Sequence, residues 1–167
     1  MAGMHRKRIG RLPGFEYKGF FSYFLTLCTF ARRERFKDPR VVAETHRVFR
    51  DASARWAFQF LAYCYMPDHL HLVLMGTTRD ADLVGFVHDA KERSGYWHAQ
   101  RYRMPLWQTG WFDHIIRDDE SIERHVCYTL ANPVRAGLVD GWQQWPYAGT
   151  VVSVADEDFQ RVQRSQA

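Results

Sequence analysis

Hydrophobic and polar positions recur along this chain with two periods, and the changes between them mark out seven elements. Residues 20–30 are rich in aromatics and threonine and predict a first strand. Asp38 is placed to cap a helix with Pro39 at its first position, running to about Arg55. Val41, Val42, Thr45, Val48, Phe49 and Ala52 form its apolar stripe. Residues 56–65, apolar on both faces, predict an interior second strand. Residues 69–75 predict a third, antiparallel to the second through a turn at Met66-Pro67-Asp68. Residues 82–98 predict a second helix with Leu83, Phe86, Val87 and Ala90 inward and Lys91, Glu92 and Arg93 outward. Residues 111–117 alternate as a fourth strand. Asp118 or Asp119 is expected to cap a third helix, whose buried stripe is Ile122, Val126 and Leu130. Its end is expected near Asn132, because Pro133 follows.

Strand, helix, strand, strand, helix, strand, helix is the order of a ferredoxin-like split βαβ fold with one helix added. The fold class is therefore α+β: an antiparallel sheet of about four or five strands, with an extra C-terminal helix. Residues 1–19 read as a basic, partly mobile arm and residues 141–167 as a tail, both appended to a single domain. No internal repeat appears.

Composition supports a globular chain: 167 residues, 46% hydrophobic and 16% aromatic, enough for a real core. The charge is uneven. Residues 1–40 hold ten Lys/Arg against three Asp/Glu, while the remainder holds thirteen against sixteen, for a net +4. A basic front on a mildly acidic body suits an anionic partner, nucleic acid ahead of membrane. Arg6, Lys7, Arg8 and Arg11 in the arm, with Arg32, Arg33 and Arg35 in the loop at 31–37, are the candidate backbone contacts. Cys28, Cys64 and Cys127 are odd in number and far apart, which argues against a zinc ribbon or a redox pair and fits reduced thiols in a cytoplasm. Residues 20–30 are too short to span a bilayer, which takes roughly 20 apolar residues.

The chemistry concentrates in two places. His69 and His71 alternate on the third strand, so both imidazoles project from one face while Leu70, Leu72 and Leu74 point to the other. Such a pair chelates a divalent metal, although two loop-bonded histidines at a strand end are the ordinary account of so short a motif. Tyr128 and Asn132, four residues apart, share a face of the last helix. An amide oxygen suits Mg²⁺ or Mn²⁺, and a phenol can attack phosphorus and hold the product covalently. A half-buried helical tyrosine and an asparagine C-cap before proline are equally ordinary, and spacing alone does not choose.

Met66-Pro67-Asp68-His69-Leu70-His71-Leu72-Val73, followed by Tyr128 and by Asn132-Pro133-Val134-Arg135-Ala136-Gly137-Leu138-Val139, resembles the IS200-type Y1 transposases. It is most similar to their REP-associated tyrosine transposase branch. The strand at 23–29 before a basic loop, Trp107 with Trp111-Phe112-Asp113-His114, and Trp145-Pro146-Tyr147 extend the likeness over residues 17–147. The resemblance implies a histidine–hydrophobic–histidine (HUH) endonuclease that cuts and rejoins single-stranded DNA near a hairpin, using Mg²⁺ or Mn²⁺. It implies metal ligands at His69 and His71, a third polar ligand at Asn132, and Tyr128 as the nucleophile forming a 5′-phosphotyrosine. His114 matches a histidine with an accessory role. His125 is expected to face solvent. Relatives differ in whether one chain or a homodimer builds the site.

Two other readings stay open on the sequence. One is a catalytically silent, single-stranded nucleic-acid-binding regulator on the same fold. The other is a metal-dependent phosphoesterase using water in place of Tyr128. Trp97, Tyr102, Trp107, Trp142 and Trp145 are candidates to stack on bases, with core packing the more ordinary fate of each.

Overall fold

The computed structural model describes residues 13–155 together with Glu157, Phe159, Gln160 and Val162. The basic positions Arg6, Lys7, Arg8 and Arg11 lie outside the described residues. In chain order the elements are β1 (Ser22–Cys28), α1 (Pro39–Arg55), β2 (Phe58–Met66), β3 (His69–Gly76), α2 (Leu83–Tyr102), β4 (Phe112–Ile116), α3 (Ile122–Arg135) and β5 (Ala148–Thr150). Their sheet runs in the order β4-β1-β3-β2-β5, and every pairing is antiparallel. The first four strands and two helices make the ferredoxin-like unit expected from the sequence.

The two faces of the sheet differ, and the difference positions the site. Tyr23, Leu25, Leu27, Leu70, Leu72 and Leu74 pack against Val41, Phe49, Phe86 and Val87 of α1 and α2. Each of those leucines is fully buried, contributing about 1.5–3 kcal/mol. On the opposite face Phe24, Ala62, Val73 and Ile116 pack against Val126 and Leu130 of α3. Alternation along β3 therefore sends Leu70, Leu72 and Leu74 toward α1 and α2, and His69 and His71 toward α3.

Several boundaries differ from expectation for identifiable reasons. Asp38 caps α1 as expected, accepting from Arg40 N at 2.9 Å. α2 runs four residues past the expected end at His98, to Tyr102, whose hydroxyl is tied to Asp38 Oδ2, and a left-handed Arg103 closes it by donating its N–H to Ala99 O. α3 starts later: Ser121 is the cap, accepting from Arg124 N at 3.1 Å. Asp118 and Asp119 are used in the preceding turn, which Glu120 N closes onto Arg117 O.

α3 also passes through Pro133 to Arg135 instead of stopping at Asn132. Proline has no N–H, so the carbonyl four residues back loses its donor. The Asn132 side chain replaces it, with Nδ2 donating to Thr129 O at 3.2 Å and to Tyr128 O at 2.9 Å.

The first part of the tail packs onto the sheet. Trp145 Nε1 donates to Tyr65 O at 2.9 Å, and β5 then adds to the open edge of β2. Gly149 permits this, since a Cβ there would lie 2.8 Å from the Tyr63 hydroxyl. Among the described residues, no helix is long and apolar enough to cross a membrane.

Candidate active site

The turn at Pro67-Asp68 ends β2 and starts β3, with Met66 opposite His69 in register. The His69 and His71 rings then meet edge to face, 4.6 Å between centroids, with their Nε2 atoms 3.0 Å apart. Each ring is anchored from behind. His69 Nδ1 bonds Asp68 Oδ1 at 2.6 Å, and His71 Nδ1 bonds Thr26 Oγ1 on β1 at 2.9 Å. A carboxylate behind Nδ1 holds that proton in place and puts the lone pair of His69 on Nε2. With both rings in that tautomer, two lone pairs face each other, and a shared proton or a cation relieves the repulsion. Two ligands at right angles in an octahedral Mg²⁺ shell are roughly 3.0 Å apart, so the pair fits a divalent ion as it stands. His71 is buried and His69 half-buried, which leaves one side of the pair open.

Asp68 is itself braced. Its Oδ2 meets Arg32 Nε at 2.8 Å. Burial pushes the Asp68 carboxyl upward, but the His69 hydrogen bond and the His69 and Arg32 charges hold it below the usual range. Arg32 reaches back because Ala31 and Arg32 take positive φ, 52° and 54°, a conformation costing about 1–2 kcal/mol per non-glycine residue. The same turn sets Arg32 Nη1 2.7 Å from Cys28 Sγ.

α3 lies across the histidine face. Tyr128 is half-buried, and its ring centroid is 6.3 Å from that of His71 and 5.7 Å from that of Phe24, edge-on to both. Arg135 places its guanidinium carbon 4.6 Å from the Tyr128 ring centroid, bringing positive charge beside the phenol. Asn132 sits one turn on from Tyr128. Its nitrogen is spent on the helix, so Oδ1 is the amide atom those bonds leave over.

His114 is not beside the His69/His71 pair. It faces Phe24 across the β1–β4 pairing, and the Phe24 ring stacks on His71 at 5.3 Å. His114 Nε2 bonds both oxygens of Glu120, at 3.0 and 2.9 Å. His125 does not face solvent alone as expected: half-buried, it stacks on His114 with centroids 5.6 Å apart and planes 17° apart.

Of the loop arginines, Arg32 serves Asp68, and Arg33 is exposed. Arg35 is half-buried with Nη2 on Met104 Sδ at 3.0 Å. The candidate stacking residues mostly pack inward. Trp107 Nε1 donates to Ser94 Oγ at 2.9 Å, the Tyr102 hydroxyl to Asp38 Oδ2 at 2.8 Å, and Trp142 stacks on Phe159. Sequence reasoning missed Thr26, Arg32's brace on Asp68, and Glu120. A polar residue in the buried β1 pattern was the one available signal for Thr26.

Comparison with known proteins places these residues in context. A sequence profile of the family described as "Transposase IS200 like" matches residues 20–128. A Haemophilus influenzae protein provisionally assigned as a REP-associated tyrosine transposase is 26% identical over 137 residues, covering 75% of this chain and 77% of that protein. The REP-associated tyrosine transposase of Escherichia coli is 24% identical over 137 residues, covering 80% of this chain and 81% of that one. Among solved structures, a REP-associated tyrosine transposase bound to a REP hairpin superposes with a TM-score of 0.70 at 20% identity. That match covers 84% of this chain and 82% of the other.

Proposed function

The chain belongs to the IS200-like transposase family, whose sequence profile covers residues 20–128, and we propose that it cuts and rejoins single-stranded DNA at hairpin-type sites through Tyr128. The observation that carries this reading is the approach of the Tyr128 ring to within 6.3 Å of the His71 ring. A nucleophile from α3 thereby stands beside a chelating pair on β3.

His69 and His71 would hold a divalent cation, Mg²⁺ or Mn²⁺, through Nε2, with Asp68 and Thr26 fixing the two rings. Asn132 Oδ1 would supply a further ligand from Tyr128's face of α3. An ion held there would supply Lewis-acid polarisation of a phosphoryl oxygen. Tyr128 Oη attacks phosphorus and loses its proton. The bond from phosphorus to the 3′ oxygen breaks, and that oxygen leaves as a 3′-hydroxyl. The 5′-phosphotyrosine retains the energy of the phosphodiester, so a 3′-hydroxyl can attack it and reseal the strand. Arg135, over the Tyr128 ring, draws the anionic backbone toward the phenol.

The DNA partner is a single strand carrying a hairpin, as in the REP hairpin of the superposable structure. Exposed Arg33 and the basic residues before Pro13 supply salt-sensitive attraction to phosphates.

Incubation with end-labelled hairpin oligonucleotide and Mn²⁺ tests the proposal. Wild type is expected to yield a denaturation-resistant protein–DNA adduct that Tyr128→Phe does not form. Turnover that survives Tyr128→Phe would point to attack by water instead, and binding without cleavage to a silent regulator.

A further inference from the structure

Beyond the His69/His71 pair, the same sheet face carries a second group with the makings of a metal site. His114, Glu120 and His125 each offer a ligand atom, and the three atoms lie within 4.8 Å of one another. They come from three different pieces of backbone: His114 from β4, Glu120 from the turn before α3, and His125 from the second turn of α3. Phe24 stands between the two groups, its ring 5.3 Å from His71 and 6.1 Å from His125.

The details suit an ion more closely than a surface ion pair would require. His125 Nδ1 donates to Ser121 O at 2.9 Å. That bond leaves the ring's lone pair on Nε2, the arrangement that ligating histidines use. Glu120 is fixed by Arg117 N, which donates to Oε2 at 2.9 Å. That amide first, and the His114 ring after it, hold the Glu120 carboxyl below the usual range, so it stays anionic. His114 Nε2 and the Glu120 oxygens, 2.9–3.0 Å apart, need to open only slightly, since neighbouring ligands in a tetrahedral zinc shell sit about 3.3 Å apart. All three residues are half-buried, which lets water complete the shell.

We propose that His114, Glu120 and His125 form a second divalent-metal site, separate from the His69/His71 pair and selective for Zn²⁺, Co²⁺ or Mn²⁺ over Mg²⁺. Two imidazoles and one carboxylate give that preference, because Mg²⁺ favours an all-oxygen shell. Binding takes the place of the His114–Glu120 hydrogen bond, with His114 presenting the Nε2 lone pair and carrying its ring proton on Nδ1. The ion ties β4, the turn and α3 together, with His125 one turn from Tyr128. It therefore fixes the register of the nucleophile's helix on the sheet without touching substrate. The proposal does not depend on the His69/His71 assignment.

Metal counting on the chelator-stripped full chain tests it, using Co²⁺ in equilibrium dialysis with its visible absorption as readout. The expected stoichiometry is two ions for wild type and one each for His69→Ala/His71→Ala and Glu120→Gln/His125→Asn. The combined fourfold variant is expected to bind none. Glu120→Gln alone preserves the turn's shape and should weaken the second site by about tenfold or more. Circular dichroism confirms that each variant is folded, and any that is not is replaced by this single one. An ion that survives His69→Ala/His71→Ala and vanishes with Glu120→Gln/His125→Asn supports the proposal even if the first pair binds nothing. A wild type binding one ion, lost with His69→Ala/His71→Ala, would overturn it. So would a Co²⁺ spectrum and affinity unmoved by Glu120→Gln.

Discussion

The Nε2 atoms of His69 and His71 stand 3.0 Å apart, and neither ring is free to turn away. Asp68, in the turn between β2 and β3, holds one, and Thr26, on β1, holds the other. The facing geometry is thus built into the fold before any ligand arrives.

This arrangement makes the outer partners measurable. Thr26→Val keeps a β-branched residue in β1 and removes the hydroxyl, and Asp68→Asn removes the carboxylate charge behind His69. Each is expected to weaken Mn²⁺ binding by about 10–100-fold with an unchanged circular dichroism spectrum. Calorimetric titration reads the affinity directly. Wild-type affinity in both variants would mean that neither hydrogen bond is needed to orient the rings.

Asn132 is assigned two jobs, and proline separates them. Asn132→Ala strips the side-chain donors from Tyr128 O and Thr129 O, and is expected to cost about 1–2 kcal/mol in urea unfolding. Asn132→Ala/Pro133→Ala returns a backbone N–H to Thr129 O and should recover most of that loss. Cation affinity should not recover, because Oδ1 is still missing. Recovery of both would reduce Asn132 to a brace for α3.

How far this site could be read from the sequence depends on which residues follow a period. His69, His71 and the three leucines between and after them obey the strand's alternation, and Tyr128 with Asn132 obeys the helix's. Their faces were therefore legible, as was the ferredoxin-like order of elements now matched by a related structure. What escaped follows no period. The α3 cap lay among four acidic or hydroxylic candidates in residues 118–121, and only the turn geometry selects Ser121. Pro133 looked like a stop because the compensating donor is a side chain. α2 looked four residues short because its end is a left-handed Arg103, with no glycine or proline there to mark it. β5 is three residues long, too few to show alternation. Glu120 and His125 meet His114 only through the turn between β4 and α3, and Arg32 reaches Asp68 only through a left-handed turn.

A pH prediction arises on the far side of the sheet. Lys91 Nζ donates to Gln108 O and Gly110 O at 2.8 and 2.7 Å, and burial pushes its ammonium down to about 8. A lysine lowered in the folded state burdens it below that pH. Between about 8 and the unfolded value near 10.4, the unfolded chain binds the extra proton, so stability rises with pH. Other groups titrate there too, so the comparison is wild type against Lys91→Met across pH 7.5–10.5. The wild type is expected to gain relative stability through that window. Parallel curves would show that the ammonium keeps its ordinary affinity for the proton.

The central claim concerns one covalent bond, and mapping that bond is its most direct test. The full chain is incubated with a hairpin oligonucleotide and Mn²⁺, digested with trypsin and nuclease, and sequenced by tandem mass spectrometry. The account predicts a 5′-linked nucleotide phosphate on the Tyr128 side chain, with a free 3′-hydroxyl on the released strand. Cleaved DNA with Tyr128 unmodified, or with the phosphate on a different residue, would contradict it.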